Sequence, residues 1–503
     1  MQASVVIAGF PTSHDVMEHA KIDRDVVSIE CQVAKHTDAG YAAAKKIYEE
    51  GGADACSCPS VPSQPGSKLG SGGMRTLASF YPGAHENTAG LAHTVATEPF
   101  NKMFDEYEAL NNMPGRDKGY NPHSEVVFAL KGEQEYDATG DDAQITSSAE
   151  FRDQVIKKGI KYQVMMIYAL HELEIAVAAY KELGAGSDKP KLYTDVWWAF
   201  YAGSRETGSA TGGGFSPYKL AEKRAKFFGT DTASINNGGK SKVNDILIKA
   251  TYEIKRLFSL AEDSTAEIDN VMKCVRAQLK VPLIQGCIQY GKLSKLVHLA
   301  SAFTNYDGHN SRWKTWAGYK TDPSTNFDDG SATDGYHSEK ARKGEIWSFC
   351  AGALPFLHEA DAPSAVTLFE QVKVEGLSAR MPAWTTVKSV FTAANLNKMG
   401  VKCADVGGFV DKSADKTSAT TLGSDFPQCT DGTLSSAHAD SGQCAGDWMS
   451  RVVVPDTYDG DAAVAAASDA GGSGSGTSDA TKAYATFLPT MLAAAMSAAL
   501  LKH

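Results

Sequence analysis

The sequence lacks the short motifs that mark most nucleotide, zinc-protease and hydrolase chemistry. It has no Walker A loop, no strand-borne G-x-G-x-x-G, no H-E-x-x-H and no nucleophile elbow. P-loop phosphoryl transfer, Rossmann dinucleotide binding, zincin proteolysis and serine-hydrolase catalysis are therefore unsupported. The glycines Gly212 to Gly214 sit in a loop with no strand before them and give little support for a phosphate cradle. Basic clusters are missing too: Lys and Arg number 49 against 60 Asp and Glu, a formal charge of -11. That balance argues against nucleic acid and an anionic membrane surface as partners, and an acidic surface attracts cations. No Asn-x-Ser/Thr sequon is present, and alternating, strand-like runs are few.

What is present suffices for a large fold. The chain has 503 residues, 22% charged and 9% aromatic, a globular composition long enough for two or three domains. The expected class is mainly α, with duplicated helical lobes, loop-rich connections and a disulfide-tied C-terminal region. Nine cysteines are spread along the chain. Cys429 and Cys444 bracket a short polar loop, a natural span for a disulfide. Cys56-x-Cys58 has no second Cys or His pair at zinc-finger spacing. Most cysteines are read as disulfides; the odd number leaves at least one thiol free, and the apolar helical context of Cys287 and Cys350 makes them the candidates.

The two ends differ in targeting content. The start, MQASVVIAGFPTSHD, has a short apolar run without the basic region or full hydrophobic core of a signal peptide. The end carries a small-residue linker, GGSGSGTS from Gly471, a polar spacer and the apolar AYATFLPTMLAAAMSAALL before Lys502 and His503. That order fits a glycolipid-anchor signal. A short transmembrane anchor is the alternative and a packed helix the third option. The expected location is the extracellular face of the plasma membrane or the periplasmic space, lipid-anchored, with membrane contact through the C-terminal tail only.

The organising stretch runs from Ser147 to Ser204. SSAEFRDQVIKKGIKYQVMMIYALHELEIAVAAYKELG reads as one long helix, with a Ser147/Glu150 capping box at its start and Lys181 and Gly184 at its end. Ile156, Ile160, Val164, Ile167 and Ala178 form an apolar stripe, with Lys157, Lys158, Lys161 and Glu172 on the polar side. His171 and Glu174 fall within the stripe. A buried carboxylate costs several kcal/mol unless paired, protonated or metal-bound, so these residues require a partner elsewhere. A satisfied structural pair and a ligand set are both open readings. The order His171-Glu172-Leu173-Glu174 is not the Glu-x-x-His of di-iron bundles, which disfavours an oxidase.

The order of segments then repeats. GYAAAKKIYEEGG from Gly40 and TEPFNKMFDEYEALNN from Thr97 precede the long helix and DVWWAFYAGS. SPYKLAEKRAKFFG, KVNDILIKATYEIKRLFSL, the long VMKCVRAQLK segment and GEIWSFCAGALPF follow in the same order, with WSFCAG at Trp347 matching WAFYAG at Trp198. The resulting division is an N-terminal segment (1–30), a first lobe (31–204), a second lobe (205–361), a partial third repeat (362–404), a Cys-containing loop region (405–470) and the anchor signal (471–503). The His171 and Glu174 positions align with Gly291 and Ser294, so the second copy does not reproduce them.

Tyrosines and carboxylates near helix faces are oxygen donors that suit a hard trivalent cation such as ferric iron. The candidate ligands are Tyr107 and Tyr201 as phenolates, Glu174, Asp195 and Glu172 as carboxylates, and His171 as an imidazole ligand or orienting group. In the alternative, the tyrosines are core aromatics and Asp195 caps a helix starting near Trp197.

YAAAKKIYEEGG, FNKMFDEYEALNN, KKGIKYQVMMIYALHELEIAV and DVWWAFYAGS, in that order, resemble the algal iron-assimilation family. These are the low-iron-inducible or high-carbon-dioxide-inducible periplasmic proteins, to which the phytotransferrins are similar. The resemblance spans about residues 40 to 400 and implies a helical surface protein that concentrates ferric iron (Fe3+), with carbonate as a synergistic anion, and no catalysis. A surface reductase, permease or endocytic partner would then take over the iron. The alternative within the same family is a non-catalytic, carbon-dioxide-responsive periplasmic or cell-wall protein without a transport role.

Overall fold

The computed structural model describes residues 5–52, 66–67, 69, 75–80, 122–132, 148–204, 215–231, 241–307, 339–372, 384–408, 444 and 446–452, with the main chain alone over 292–307. Helix accounts for 77% of the described residues and strand for 2%, so the fold is mainly α. The described strands are Val6–Ile7 and Phe10–Pro11, an antiparallel hairpin turned by Ala8 and Gly9 at positive φ.

Helix starts follow the sequence closely. Thr37, Ser148, Ser216 and Ser241 each accept a hydrogen bond from the amide three residues on. Each such cap contributes about 1 kcal/mol. They open the helices Asp38–Glu50, Ala149–Gly159, Pro217–Phe228 and Lys242–Leu257. The cap of the organising helix is Ser148 rather than Ser147, with Glu150 in the first turn. Gly184 ends that helix at φ +73°, a conformation open to glycine without strain.

The long helix is not uniform. Ala149–Gly159 passes through a π turn, Ile160–Val164, into Met165–Leu183. A π turn inserts a residue and rotates everything after it by about 100°. The expected polar side is overturned because the helix is enclosed all round: every residue from Gly159 to Val177 is buried, Glu172 and Lys161 included, whereas Ala178 of the expected stripe is only half-buried.

Met165–Leu183 packs along Lys189–Ala202, and the long Thr265–Asp307 helix packs along Glu339–Ala360. The aromatic helices Lys189–Ala202 and Glu339–Ala360 therefore each lie against a long helix earlier in the chain. Glu339–Ala360 also packs on Ala149–Gly159. One contiguous apolar cluster runs from Ile7 to Trp448, with Trp197, Trp198 and Trp347 among its largest fully buried side chains. At the crossing of the second pair, a Cβ on Gly286 would overlap the Phe349 ring.

Beside that crossing, Cys287 and Cys350 are joined in a disulfide, which corrects their reading as free thiols. Cys444 is bonded to Cys274 and not to Cys429. Cys31 and Cys403 are in disulfides too. The expected pairing followed proximity along the chain, whereas helix packing brings residues 170 apart together. Among the described residues no helix is long and apolar enough to cross a membrane. The anchor tail and TEPFNKMFDEYEALNN, with Tyr107, lie outside the described residues.

Candidate functional site

The Met165–Leu183 helix runs through the middle of the fold, so its polar side chains are in the core. Glu172 is 0% exposed, Glu174 2% and His171 6%. Burial at this level forces a charged partner on each carboxylate, and the fold supplies one to each. Arg276 of the Thr265–Asp307 helix holds Glu174 through Nε to Oε1 and Nη2 to Oε2, both 2.7 Å. Arg75, just before a short 3-10 turn at Leu77–Phe80, donates from Nη1 to Glu172 Oε1 at 2.6 Å.

Asp195 is the centre of a third, separate cluster. It lies inside the Lys189–Ala202 helix, with its carboxylate fully buried, and does not cap a helix at Trp197. Its Oδ2 accepts from the Ser13 amide (2.8 Å), the His14 amide (3.1 Å) and His14 Nδ1 (2.8 Å). Its Oδ1 accepts from Lys255 Nζ at 2.5 Å. The second His14 nitrogen meets Asp188 at 2.9 Å. The hydrogen bond to Asp195, against the opposing effect of burial, raises the His14 pKa. This cluster ties the N-terminal segment to the aromatic helix.

Tyr201 is a core aromatic. Its hydroxyl donates to Asn244 Oδ1 at 2.7 Å, and its ring stacks on Trp197 at 5.2 Å. Burial pushes its phenol well above the ordinary value, so it is a neutral hydrogen-bond donor. The predicted ligands are thus distributed. Glu174, Asp195 and Tyr201 each have their oxygens engaged in different places, Glu172 stands apart from them on Arg75, and His171 lies against the Tyr168 ring. Among the described residues no group of three or more His, Cys, Asp or Glu is placed to hold a metal ion.

Glu172 retains an oxygen. Its Oε2 is buried and accepts no hydrogen bond among the described residues. Around the pair, the Arg75 guanidinium lies 5.8 Å from the Tyr168 and Phe200 ring centroids, and His171 is 5.6 Å from Tyr168. His19 packs edge-on to Phe200 at 5.4 Å, and its buried Nδ1 has no hydrogen-bond partner among the described residues. Burial, aided by the Arg75 charge, holds the His19 imidazole down to about 3. It is therefore neutral near pH 7, the form in which imidazole binds metal. The buried Glu172 oxygen and the neutral His19 nitrogen are electron-pair donors of the kind that bind a cation.

No known family model, no curated protein and no solved structure matches the chain at a significant level. Sequence reading singled out the acidic residues and missed the cations that answer them: Arg75, Arg276, Lys255 and His14. Each looks like an ordinary surface residue in its own segment. Only the rule that a buried carboxylate needs a partner pointed to them, and that rule gives no address.

Proposed function

We propose that this chain is a non-catalytic, cell-surface ferric-iron-binding protein for high-affinity uptake, with carbonate as the companion anion. The observation that carries the reading is the buried Arg75–Glu172 pair, with Glu172 Oε2 and His19 Nδ1 both accepting nothing among the described residues. The family-like order of motifs supports it, and the disulfides suit a body outside the cytosol.

The pair also gives the anion a physical purpose. A trivalent cation beside Arg75 is repelled by the guanidinium, and Glu172 is already neutralised by it. A carbonate seated on the planar guanidinium fork would reverse the local sign and complete the oxygen set. Glu172 would line that seat; Tyr107, outside the described residues, is the phenolate candidate. Protonation of carbonate, carboxylate or imidazole would release the iron, giving uptake an acid switch.

The test is a ferric-iron titration of the chain at near-neutral pH, followed by visible absorption, with and without bicarbonate. A charge-transfer band that requires the anion is the expected result. Failure to retain ferric iron in equilibrium dialysis with bicarbonate present overturns the reading.

A further inference from the structure

A second buried cation, remote in sequence from Arg75, has no carboxylate to answer it among the described residues. Arg224, on the Pro217–Phe228 helix, is 1% exposed. Its Nη1 donates to the neutral Gln289 amide oxygen at 2.6 Å, and its Nε is buried without an acceptor among the described residues. The rest of its surroundings are ring faces: Phe227, Tyr290 and Phe349 have centroids 5.4, 5.5 and 5.4 Å from the guanidinium carbon. Aromatic faces attract a cation but do not satisfy an N–H or cancel its charge. A buried guanidinium in this state is strongly unfavourable by itself, since desolvation is not repaid by an ion pair.

The neighbourhood adds positive charge. The π turn swings Lys161 and Tyr162 inward, where they are 6% and 7% exposed. Lys161 Nζ lies 5.3 Å from the Tyr162 ring and 4.8 Å from that of Phe215, and it pairs with Glu30. Lys158 Nζ is 3.7 Å from Glu345 Oε1, while Arg342 takes Glu345 Oε2 at 2.8 Å. Tyr162 and Tyr290 both stack on Phe349, at 5.1 and 5.0 Å, which brings Tyr162 to the same ring that Arg224 covers. Burial alone would raise the Tyr162 phenol; Lys161, Lys158, Lys223 and Arg224 outweigh it and lower it. The field at the Tyr162 hydroxyl is therefore positive on balance, with Glu30 and Glu345 already shared among Lys158, Lys161 and Arg342.

We propose that Arg224, with Tyr162 and the π-turn lysines, forms a binding site for a small oxyanion of the carboxylate, bicarbonate or phosphate type. The unsatisfied Nε–H and the Tyr162 hydroxyl would be its hydrogen-bond donors, and Lys158 and Lys161 would supply the field. π turns recur at functional sites, and here the turn delivers two of the groups. The site does not depend on iron binding.

Thermal melting of iron-free protein tests it, with inorganic phosphate, bicarbonate and acetate each replacing chloride at matched ionic strength. The expected result is a saturable rise of about 2 °C or more in at least one arm, and that arm identifies the anion. Arg224→Gln, which keeps a polar side chain in reach of Gln289, should abolish the rise. A near-ultraviolet difference spectrum on anion addition, seen in the wild type and absent in Tyr162→Phe, supplies the same answer if Arg224→Gln does not fold. No response in any arm, or a rise retained in Arg224→Gln, overturns the proposal. So does a tyrosinate absorption at neutral pH that Tyr162→Phe removes, because Tyr162 would then be the counter-charge itself.

Discussion

Arg276 grips Glu174 through two parallel hydrogen bonds of 2.7 Å, joining the centre of the organising helix to the Thr265–Asp307 helix. The carboxylate is 2% exposed and the Arg276 side chain 25% exposed, so Glu174 is the more fully desolvated partner. Arg276→Met should cost about 3 kcal/mol, because it strips two charge-assisted hydrogen bonds from a buried carboxylate. Adding Glu174→Met should recover most of that loss. Denaturant unfolding of both variants checks the pair, and a double variant as unstable as the single one would show that the loss does not come from the Arg276–Glu174 contact.

Stability should depend on pH through His14. Its folded pKa is raised by Asp195 and Asp188, so the folded state binds the proton more tightly than the unfolded chain. That contribution is complete below the unfolded value of about 6.5 and is lost as pH rises through the folded pKa. The denaturation midpoint should fall across that interval, and His14→Asn should flatten the slope while lowering stability at acidic pH. A wild-type midpoint that rises over the same range would contradict the assignment.

The Cys287–Cys350 bridge should be both structural and inert. Both sulfurs belong to residues 0% exposed, and the bridge closes a separation of 63 residues. Loop-closure entropy for that span corresponds to about 4 kcal/mol. Alkylation of the native protein followed by mass spectrometry should leave both cysteines unlabelled, even with mild reductant. The double variant Cys287→Ala, Cys350→Ala should unfold at clearly lower denaturant.

The helical class, the caps and the buried aromatic helices were legible because each rests on local chemistry. Ser216 and Ser241 precede apolar periodic runs, and WWAFYA has no polar face to put in water. The phase of the organising helix was not legible past Gly159, since a π turn at Ile160–Val164 leaves no mark in composition. Glu172 and Lys161 are core residues because the chain is enclosed on every side from Gly159 to Val177, which a one-face periodicity does not announce. Cysteine pairing failed for a related reason: Cys274 meets Cys444 only once the helices have packed. The requirement that Glu174 find a partner was readable, whereas the identity of Arg276 was fixed by tertiary packing.

The two tyrosines once grouped as phenolate donors should now separate experimentally. Tyr201 donates to Asn244 Oδ1, and Asn244 in turn donates to the Tyr218 carbonyl at 3.0 Å. Burial holds the Tyr201 phenol well above its ordinary pKa, which opposes the phenolate form that ferric iron requires. Tyr201→Phe should therefore leave any iron charge-transfer band intact and cost about 1–3 kcal/mol, because it strands the buried Asn244 oxygen. Tyr107→Phe should abolish the band with little effect on the melting of iron-free protein. Glu172→Gln should weaken iron retention without removing the band, since the carboxylate is not the chromophore. Loss of the band in Tyr201→Phe, with folding preserved, would place the metal at the aromatic helix and away from Arg75.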